Sequence, residues 1–403
     1  MFNFFFEKLK NLEKKIIKIS AIEYEPVLFS FEWLLVIISQ IYKVGTKIRL
    51  WLYQSNILKP RRLPCFVISI GNIMAGGTGK TPMAIYITSL LTKMGKQPVV
   101  ISRGYKGSLK AEAKIVGDGK TVFILADEAG DEPYMMAKRK SFPVVAGKDR
   151  YTAGMLAVEQ LNPDVIILDD GFQHLKLKKD LNILLFDHDR PLGNKKMLPA
   201  GRLRETPAMS QNRTDVIVFT RCPEKVRTSQ EINKSNYAKP VEIINQYPDI
   251  PHFKSFHTPS LFKLILSANK TECCPKKSNA LNNLDALKGR NAVLFSGIAN
   301  NTAFAVDVAC RGCNIVEHLE FNDHFRYKTS DINMIKKRVD ILKANMVVTT
   351  EKDWAKLESG IGPDIEWNVD MAVIGIDIKF ENASEFESFL KSFFLKSMFS
   401  NQE

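Results

Sequence analysis

Apolar side chains are distributed along this chain in two different patterns. Between Pro26 and Lys43 the run PVLFSFEWLLVIISQIYK is crowded with large hydrophobic residues but interrupted by Glu32, Ser39 and Gln40. As a helix it would extend roughly 27 Å at about 1.5 Å per residue, close to a bilayer span, yet the polar positions spoil one. In helical projection Glu32, Ser39, Lys43 and Lys47 gather near one side and Trp33, Leu34, Ile37, Ile38 and Ile41 supply most of the rest; Arg49, Lys59, Arg61 and Arg62 follow. This predicts a helix lying in a membrane interface with basic residues toward anionic headgroups, a buried helix or a subunit contact being the alternatives. The opening MFNFFFEKLKNLEKKIIKIS has Phe before its lysines and no small-residue cleavage site, so it does not read as a secretory signal.

From residue 65 the pattern changes to short β-branched runs alternating with helical stretches, the signature of a parallel α/β sheet. Strands are predicted at Phe66–Ile70, Pro98–Ser102, Pro143–Ala146, Asp164–Leu168, Leu181–Phe186 and Asp215–Thr220, with helices such as Lys80–Met94 and Arg150–Leu161 between them. A polar, aperiodic stretch at 268–290 reads as a linker, after which strands at Ala292–Phe295, Met346–Thr350 and Met371–Ile378 and an amphipathic stretch around Glu385–Met398 form a second, smaller α/β segment. The expected organisation is a membrane-associating helical segment (1–58), an α/β domain (59–267) whose first strand leads into GNIMAGGTGKTP, a glycine-rich string of P-loop type, then the linker and a carboxy-terminal α/β domain (291–403).

Composition narrows the partners. The chain has 403 residues, 45% hydrophobic and 25% charged, as an ordinary folded protein does, and 57 Lys plus Arg against 44 Asp plus Glu give a net charge of +13. Such a surplus suits phosphorylated substrates or an acidic membrane face. The basic residues are spread rather than striped among aromatics, which argues against nucleic acid. Six cysteines are too sparse for a secreted disulfide framework and read as reduced thiols of a cytosolic protein. Cys310 and Cys313 have the spacing of half a zinc site, but no second such pair exists.

The chemistry is carried by two strings. After the first predicted strand comes GNIMAGGTGKTP (71–82) and then an apolar helical pattern, the layout of a phosphate cradle. Gly76, Gly77, Thr78 and Gly79 form a loop whose amides can converge on phosphate oxygens, Lys80 would reach the β- and γ-phosphates, and the Thr81 hydroxyl would bind Mg²⁺. Met74 stands where the strict pattern has Gly, and the absence of a third Gly or Ala after Gly79 disfavours a dinucleotide fingerprint. The second string, DVIILDDGFQH (164–174), is a hydrophobic strand ending in Asp169 and Asp170, where the second half of a metal–nucleotide site should stand; Asp-Asp-Gly is also good turn chemistry.

Taken together, GNIMAGGTGKTP, SRGY (102–105), GDEP (130–133), AGKDRY (146–151), LDDGFQH (168–174), LPAGRLRE (198–205), SGIAN (296–300), FNDHFRY (321–327) and TTEKD (349–353) resemble the tetraacyldisaccharide 4'-kinases, which phosphorylate a lipid A precursor. Met74's position is commonly not Gly in that family either, whereas Asn301 stands in place of a usual Pro. The resemblance implies nucleotide binding by the loop from Gly76 to Thr81. It places Asp169 and Asp170, supported by Gln173, His174 and Glu205, around Mg²⁺ and the phosphates. It makes Asp131 the catalytic carboxylate and His324 its partner, and sets Arg150 and Arg204 to offset phosphate charge. Read from the residues alone, Asp131 could equally be a helix N-cap, His174 could close a turn, and either Arg could be a solvated surface charge. The implied activity is transfer of the ATP γ-phosphate to the 4'-hydroxyl of an acylated disaccharide lipid by a peripheral or monotopic protein on the cytoplasmic face of a bacterial inner membrane. A membrane-recruited switch ATPase acting on a protein partner is the rival. Oligomeric state is left open.

Overall fold

The computed structural model describes residues 12, 15–20, 22–104, 107–109, 111–223, 235–267, 272–273, 284–323, 325–362 and 365–400. His324 and most of the segment read as a linker lie outside these. In chain order the principal elements begin with α1 (Phe31–Gln54), β1 (Phe66–Gly71), α2 (Lys80–Lys93), β2 (Pro98–Ser102), β3 (Ala113–Asp118), α3 (Asp131–Lys138), β4 (Pro143–Gly147), α4 (Arg150–Leu161), β5 (Val165–Asp169) and β6 (Leu181–Asp187). They continue with β7 (Val216–Thr220), α5 (Ser235–Gln246), β8 (His252–Ile265), β9 (Asn291–Ser296), α6 (Asn301–Ala309), β10 (Asn314–Glu320), α7 (Thr329–Ile341), β11 (Met346–Thr350), α8 (Glu351–Gly360), β12 (Asp370–Phe380) and α9 (Ala383–Ser400). The predicted strands are present within a residue or two, as expected of buried β-branched runs.

The chain forms two compact units, each discontinuous in sequence: 1–84 with 167–256 and 379–403, and 85–166 with 257–378. In the first, β1, β6, β7 and the start of β8 pair in parallel, in register Ile68↔Leu181, Ile183↔Val216 and Ile217↔His252. Their core gathers Ile73, Phe172, Leu184, Phe186, Phe219 and Tyr247. Phe386 of α9 packs edge-on against Phe253. In the second unit β2 and β4 are parallel and β3 closes the edge antiparallel to β4. There β10, β9, β11 and β12 form a parallel run over a core containing Phe295, Tyr327, Trp354 and Trp367.

Helix α1 starts later and runs further than the apolar stretch suggests. Phe29 takes a left-handed φ of 63° and the Ser30 hydroxyl accepts from the Trp33 amide, so the chain before Phe31 is a turn. Its polarity is inverted relative to an ordinary surface helix. Leu35, Ser39 and Leu50 are buried, and the Ser39 hydroxyl donates to the Met197 carbonyl (3.0 Å). Leu34, Ile37, Ile38, Ile41, Val44, Ile48 and Trp51 face outward, Ile41 at 68% exposure. No described helix is long and apolar enough to cross a membrane.

Candidate active site

Strand β1 delivers the chain into the glycine loop, and α2 begins at Lys80 directly after it. Gly76 and Gly79 take φ of 133° and 82°, which residues with a Cβ rarely adopt. The loop is braced from inside. Asn72 Nδ2 donates to Thr78 Oγ1 (2.9 Å) and Lys80 Nζ donates to Asn72 Oδ1 (3.4 Å) and the Gly76 carbonyl (3.2 Å). From outside, the Thr220 hydroxyl at the end of β7 donates to the Thr78 carbonyl (3.0 Å). A glycine loop, a lysine and the amino end of a helix of 14 residues thus stand together, the electrostatics an anion needs.

Strand β5 brings the two carboxylates to the same loop. Thr81 Oγ1 lies 3.2 Å from Asp169 Oδ2, and Asp169 is buried. Asp170 follows with a left-handed φ of 56°, which turns its carboxylate to Lys80 (3.7 Å) and to Arg204 Nη1, 3.2 Å from both of its oxygens. Arg204 also donates to Gln173 Oε1 (3.2 Å), and Gln173 Nε2 donates to the Asn72 carbonyl (2.7 Å). Lys80, Asp170, Gln173 and Arg204 are therefore linked in one polar network through Asn72, with the Thr81–Asp169 pair beside it. His174 closes the turn through its amide to the Gly171 carbonyl (2.9 Å). Close approach of the two loops requires Gly71, where a Cβ would lie 2.5 Å from Phe172 Cβ.

Beneath this network sit groups whose sequence context gave no signal. Lys179 Nζ donates to the carbonyls of Gly171 (3.3 Å) and Phe172 (3.1 Å), and burial, reinforced by Arg213, brings its pKa down to about 7. Arg213 lies over the Phe172 ring (4.6 Å) and pairs with the buried Glu205. Burial pushes the Glu205 carboxyl upward against the pull of Arg213. Arg49 of α1 donates to the Gln173 carbonyl (3.2 Å). Glu205 here supports the loop through Arg213.

The second unit holds Asp131 and Arg150. Asp131 is the first residue of α3, directly after the N-cap Gly130 at φ 93°, so its carboxylate stands in the first turn of the helix rather than at the N-cap. Arg150 is 4% exposed and donates to the carbonyls of Lys148 (3.2 Å) and Gly147 (3.4 Å), which removes the solvated-charge reading. Helix α3 is fastened to α8. Lys138 pairs with Glu358 (2.9 Å), and Arg139 makes a bidentate pair with Glu351 (2.7 and 2.5 Å). Burial alone would lower the Arg139 pKa, but the Glu351 carboxylate holds it above its ordinary value.

Helix α8 also organises the strings around His324. Lys352 pairs with Asp323 (3.0 Å), and Asp353, fully buried, accepts from the Gly297 amide (2.9 Å), the Thr350 hydroxyl (2.7 Å) and Lys356 (2.8 Å). Arg326 reaches Asp127 (3.4 Å), four residues before Asp131. Asn301 knits its turn, accepting from the Ser296 hydroxyl (2.7 Å) and donating to the Phe321 carbonyl (3.3 Å). The side chain therefore does with hydrogen bonds what a Pro would do by restricting φ.

The residues fit the groups that the sequence implies. The glycine cradle with Lys80 suits the polyphosphate of ATP, and Thr81 with Asp169 presents a hydroxyl and a carboxylate to one point, as a nucleotide-borne Mg²⁺ requires. Among the described residues no three His, Cys, Asp or Glu side chains converge on a self-sufficient metal site. Cys65, Cys222, Cys310 and Cys313 are free thiols.

Comparison with known proteins agrees with the geometry. The family model for tetraacyldisaccharide-1-P 4'-kinase matches residues 31–394. The tetraacyldisaccharide 4'-kinase of Pelobacter propionicus is 41% identical over 325 residues, 80% of this chain and 82% of that protein. That of Syntrophus aciditrophicus is 39% identical over 328 residues, covering 81% and 84%. The crystal structure of LpxK from Aquifex aeolicus in complex with ATP superposes with a TM-score of 0.67 at 31% identity, covering 91% of this chain and 100% of that one. With a glycine loop and paired carboxylates so arranged, and a match across most of its length, the chain belongs to the tetraacyldisaccharide-1-P 4'-kinase family.

Proposed function

We propose that this protein transfers the γ-phosphate of ATP to the 4'-hydroxyl of a tetraacyldisaccharide 1-phosphate, giving the bisphosphorylated lipid and ADP. The observation that carries the reading is the Thr81–Asp169 and Lys80–Asp170–Arg204 network on the glycine loop of a member of this family. Loop amides and Lys80 hold the β- and γ-phosphates, and Arg204 offsets charge as it develops. A Mg²⁺ held by Thr81 and Asp169, with Asp170, Gln173 and Glu205 supporting, would supply further charge neutralisation at the phosphates. Asp131, partnered by His324, accepts the 4'-hydroxyl proton during attack, and Arg150 offsets charge on the acceptor side.

The protein works at the cytoplasmic face of a bacterial inner membrane as a peripheral or monotopic protein. The outward apolar face of α1 supports this, because insertion of each half-exposed Ile or Leu is worth about 1 kcal/mol, and Lys43, Lys47 and Lys59 add attraction to anionic lipid. Incubating purified protein with γ-labelled ATP and the disaccharide lipid tests the activity. Label in the lipid product is expected. Hydrolysis of ATP without labelled lipid, stimulated instead by a protein partner, would overturn it.

A further inference from the structure

Two arginines outside every role assigned above stand beside the glycine loop. A Cβ built on Gly76 would lie 3.8 Å from Arg202 Nη1, and one built on Gly77 would lie 3.9 Å from Arg221 Nη2. Both guanidinium groups therefore come within reach of the glycine loop.

Both side chains are delivered by defined backbone. The segment 202–204 runs beside the start of the loop: the Ala75 amide donates to the Arg202 carbonyl (2.7 Å), the Arg204 amide to the Ile73 carbonyl (2.7 Å), and Met74 bridges antiparallel to Leu203. Both side chains serve the same loop region, Arg204 reaching Asp170 and Arg202 reaching Gly76. Among the described residues Arg202 has no ion pair of its own, and its main chain alone serves the fold. Lys80 also reaches this glycine, donating to the Gly76 carbonyl (3.2 Å), so both side chains approach the same residue of the loop.

Arg221 follows β7 directly, at the carboxyl end of a parallel sheet where ligands of such folds bind. It holds a left-handed φ of 57°, a conformation that costs free energy for a residue with a Cβ. Its Nη1 is fixed by Asp187 (2.6 Å), the last residue of the neighbouring β6, which leaves Nη2 directed at the loop. Asp187 is in turn held by the amides of Asp189 (3.1 Å) and Arg190 (3.2 Å).

We infer that Arg202 and Arg221 are two further nucleotide-binding residues, reaching the polyphosphate of ATP from beside the glycine loop. With Lys80 and Arg204 they complete a ring of cations around an anion carrying several charges, and a planar fork can take two phosphate oxygens at once. This rests on the glycine loop being the nucleotide site.

The test is titration calorimetry of the full chain with the non-hydrolysable analogue AMP-PNP plus Mg²⁺, for Arg202→Ala, Arg202→Lys, Arg221→Ala and Arg221→Lys, beside steady-state KM for ATP and for the lipid. Each Ala variant is expected to weaken nucleotide binding about tenfold, the loss of one charge-assisted hydrogen bond. KM for ATP should rise in parallel, KM for lipid should hold within about twofold, and each Lys variant should recover part of the loss because a point charge remains. Unchanged affinity in both Ala variants overturns the inference. So does equal loss in Ala and Lys variants accompanied by a lowered Tm, which is the mark of a structural role. Because binding is read without turnover, absence of lipid product from the wild-type protein would count against the proposed function and leave this measurement intact.

Discussion

The two units hold their functional groups in opposite ways. In the first, the groups proposed to meet the nucleotide also meet one another: Lys80 lies 3.7 Å from Asp170, Arg204 binds the same carboxylate, and Thr81 touches Asp169. Their charges are balanced before any ligand arrives, so binding exchanges internal pairs for phosphate and cation and avoids the cost of isolated charges. In the second, Asp131 sits at the head of a helix of eight residues whose far end is tied down by two ion pairs, Lys138 with Glu358 and Arg139 with Glu351. Charged groups can therefore be held in place either by mutual neutralisation or by bracing from behind, and these solutions fail differently when mutated.

The largest effect should come from the self-balanced network. Lys80→Ala and Thr81→Ala are each expected to lower kcat on the order of 10²–10³-fold or more by removing charge stabilisation of the transferring group. Near-normal turnover by a folded variant would show that this loop is not the phosphate site. Next, Asp131→Asn should cost about 10²–10⁴-fold in kcat, the usual worth of base catalysis, with nucleotide affinity retained. If Asp131 and His324 act as a unit, combining Asp131→Asn with His324→Ala should cost no more than the larger single loss, and multiplicative losses would reject the pair.

The bracing can be broken without touching Asp131. Removing one partner of the largely buried Arg139–Glu351 pair by Glu351→Ala is expected to destabilise the fold by about 3–5 kcal/mol, readable by denaturant unfolding. A change below about 0.5 kcal/mol would remove this pair as the brace. Replacing both Ile37 and Ile41 by Asp should abolish flotation with anionic vesicles while leaving Tm nearly unchanged, because both side chains face outward. Undiminished flotation would assign membrane attachment elsewhere. The smallest effect concerns His318, whose ring bonds the Ser296 hydroxyl (2.8 Å) and whose pKa burial lowers from 6.5 despite Glu320 nearby. The folded state then binds fewer protons than the unfolded one. The stabilisation is present above pH of about 6.5 and is lost as pH falls through the lowered value. His318→Gln should flatten the fall in Tm between about pH 7 and 5, and an unaltered slope would contradict it.

What could be read from the sequence was local. Each predicted strand is a run of apolar residues whose burial needs no distant partner to be recognised, and GNIMAGGTGKTP and LDDGFQH each carry their chemistry within a dozen residues or fewer. Strand β8 was not legible because HFKSFHTPSLFKLI alternates poorly and contains Pro259, which argues against a strand. Strand β3 was missed because AKIVGD has only a short apolar run and lies at an edge. Long-range supports were beyond reach for a different reason. Arg139 and Glu351 are 212 positions apart, and nothing in either residue's surroundings distinguishes it from a surface charge. Arg49, Lys179 and Arg213 likewise acquire their part only where the fold brings them to the carbonyls of residues 171–173.

Helix α1 turns its isoleucines outward and its serine inward. A protein held at an interface by such a face meets its substrate by lateral search, so the quantity that sets its rate is the mole fraction of lipid substrate in the surface. Diluting that substrate with inert phospholipid at constant bulk concentration should slow the reaction, and adding buffer to the same vesicles should not. A two-dimensional kinetic law would follow from the orientation of one helix.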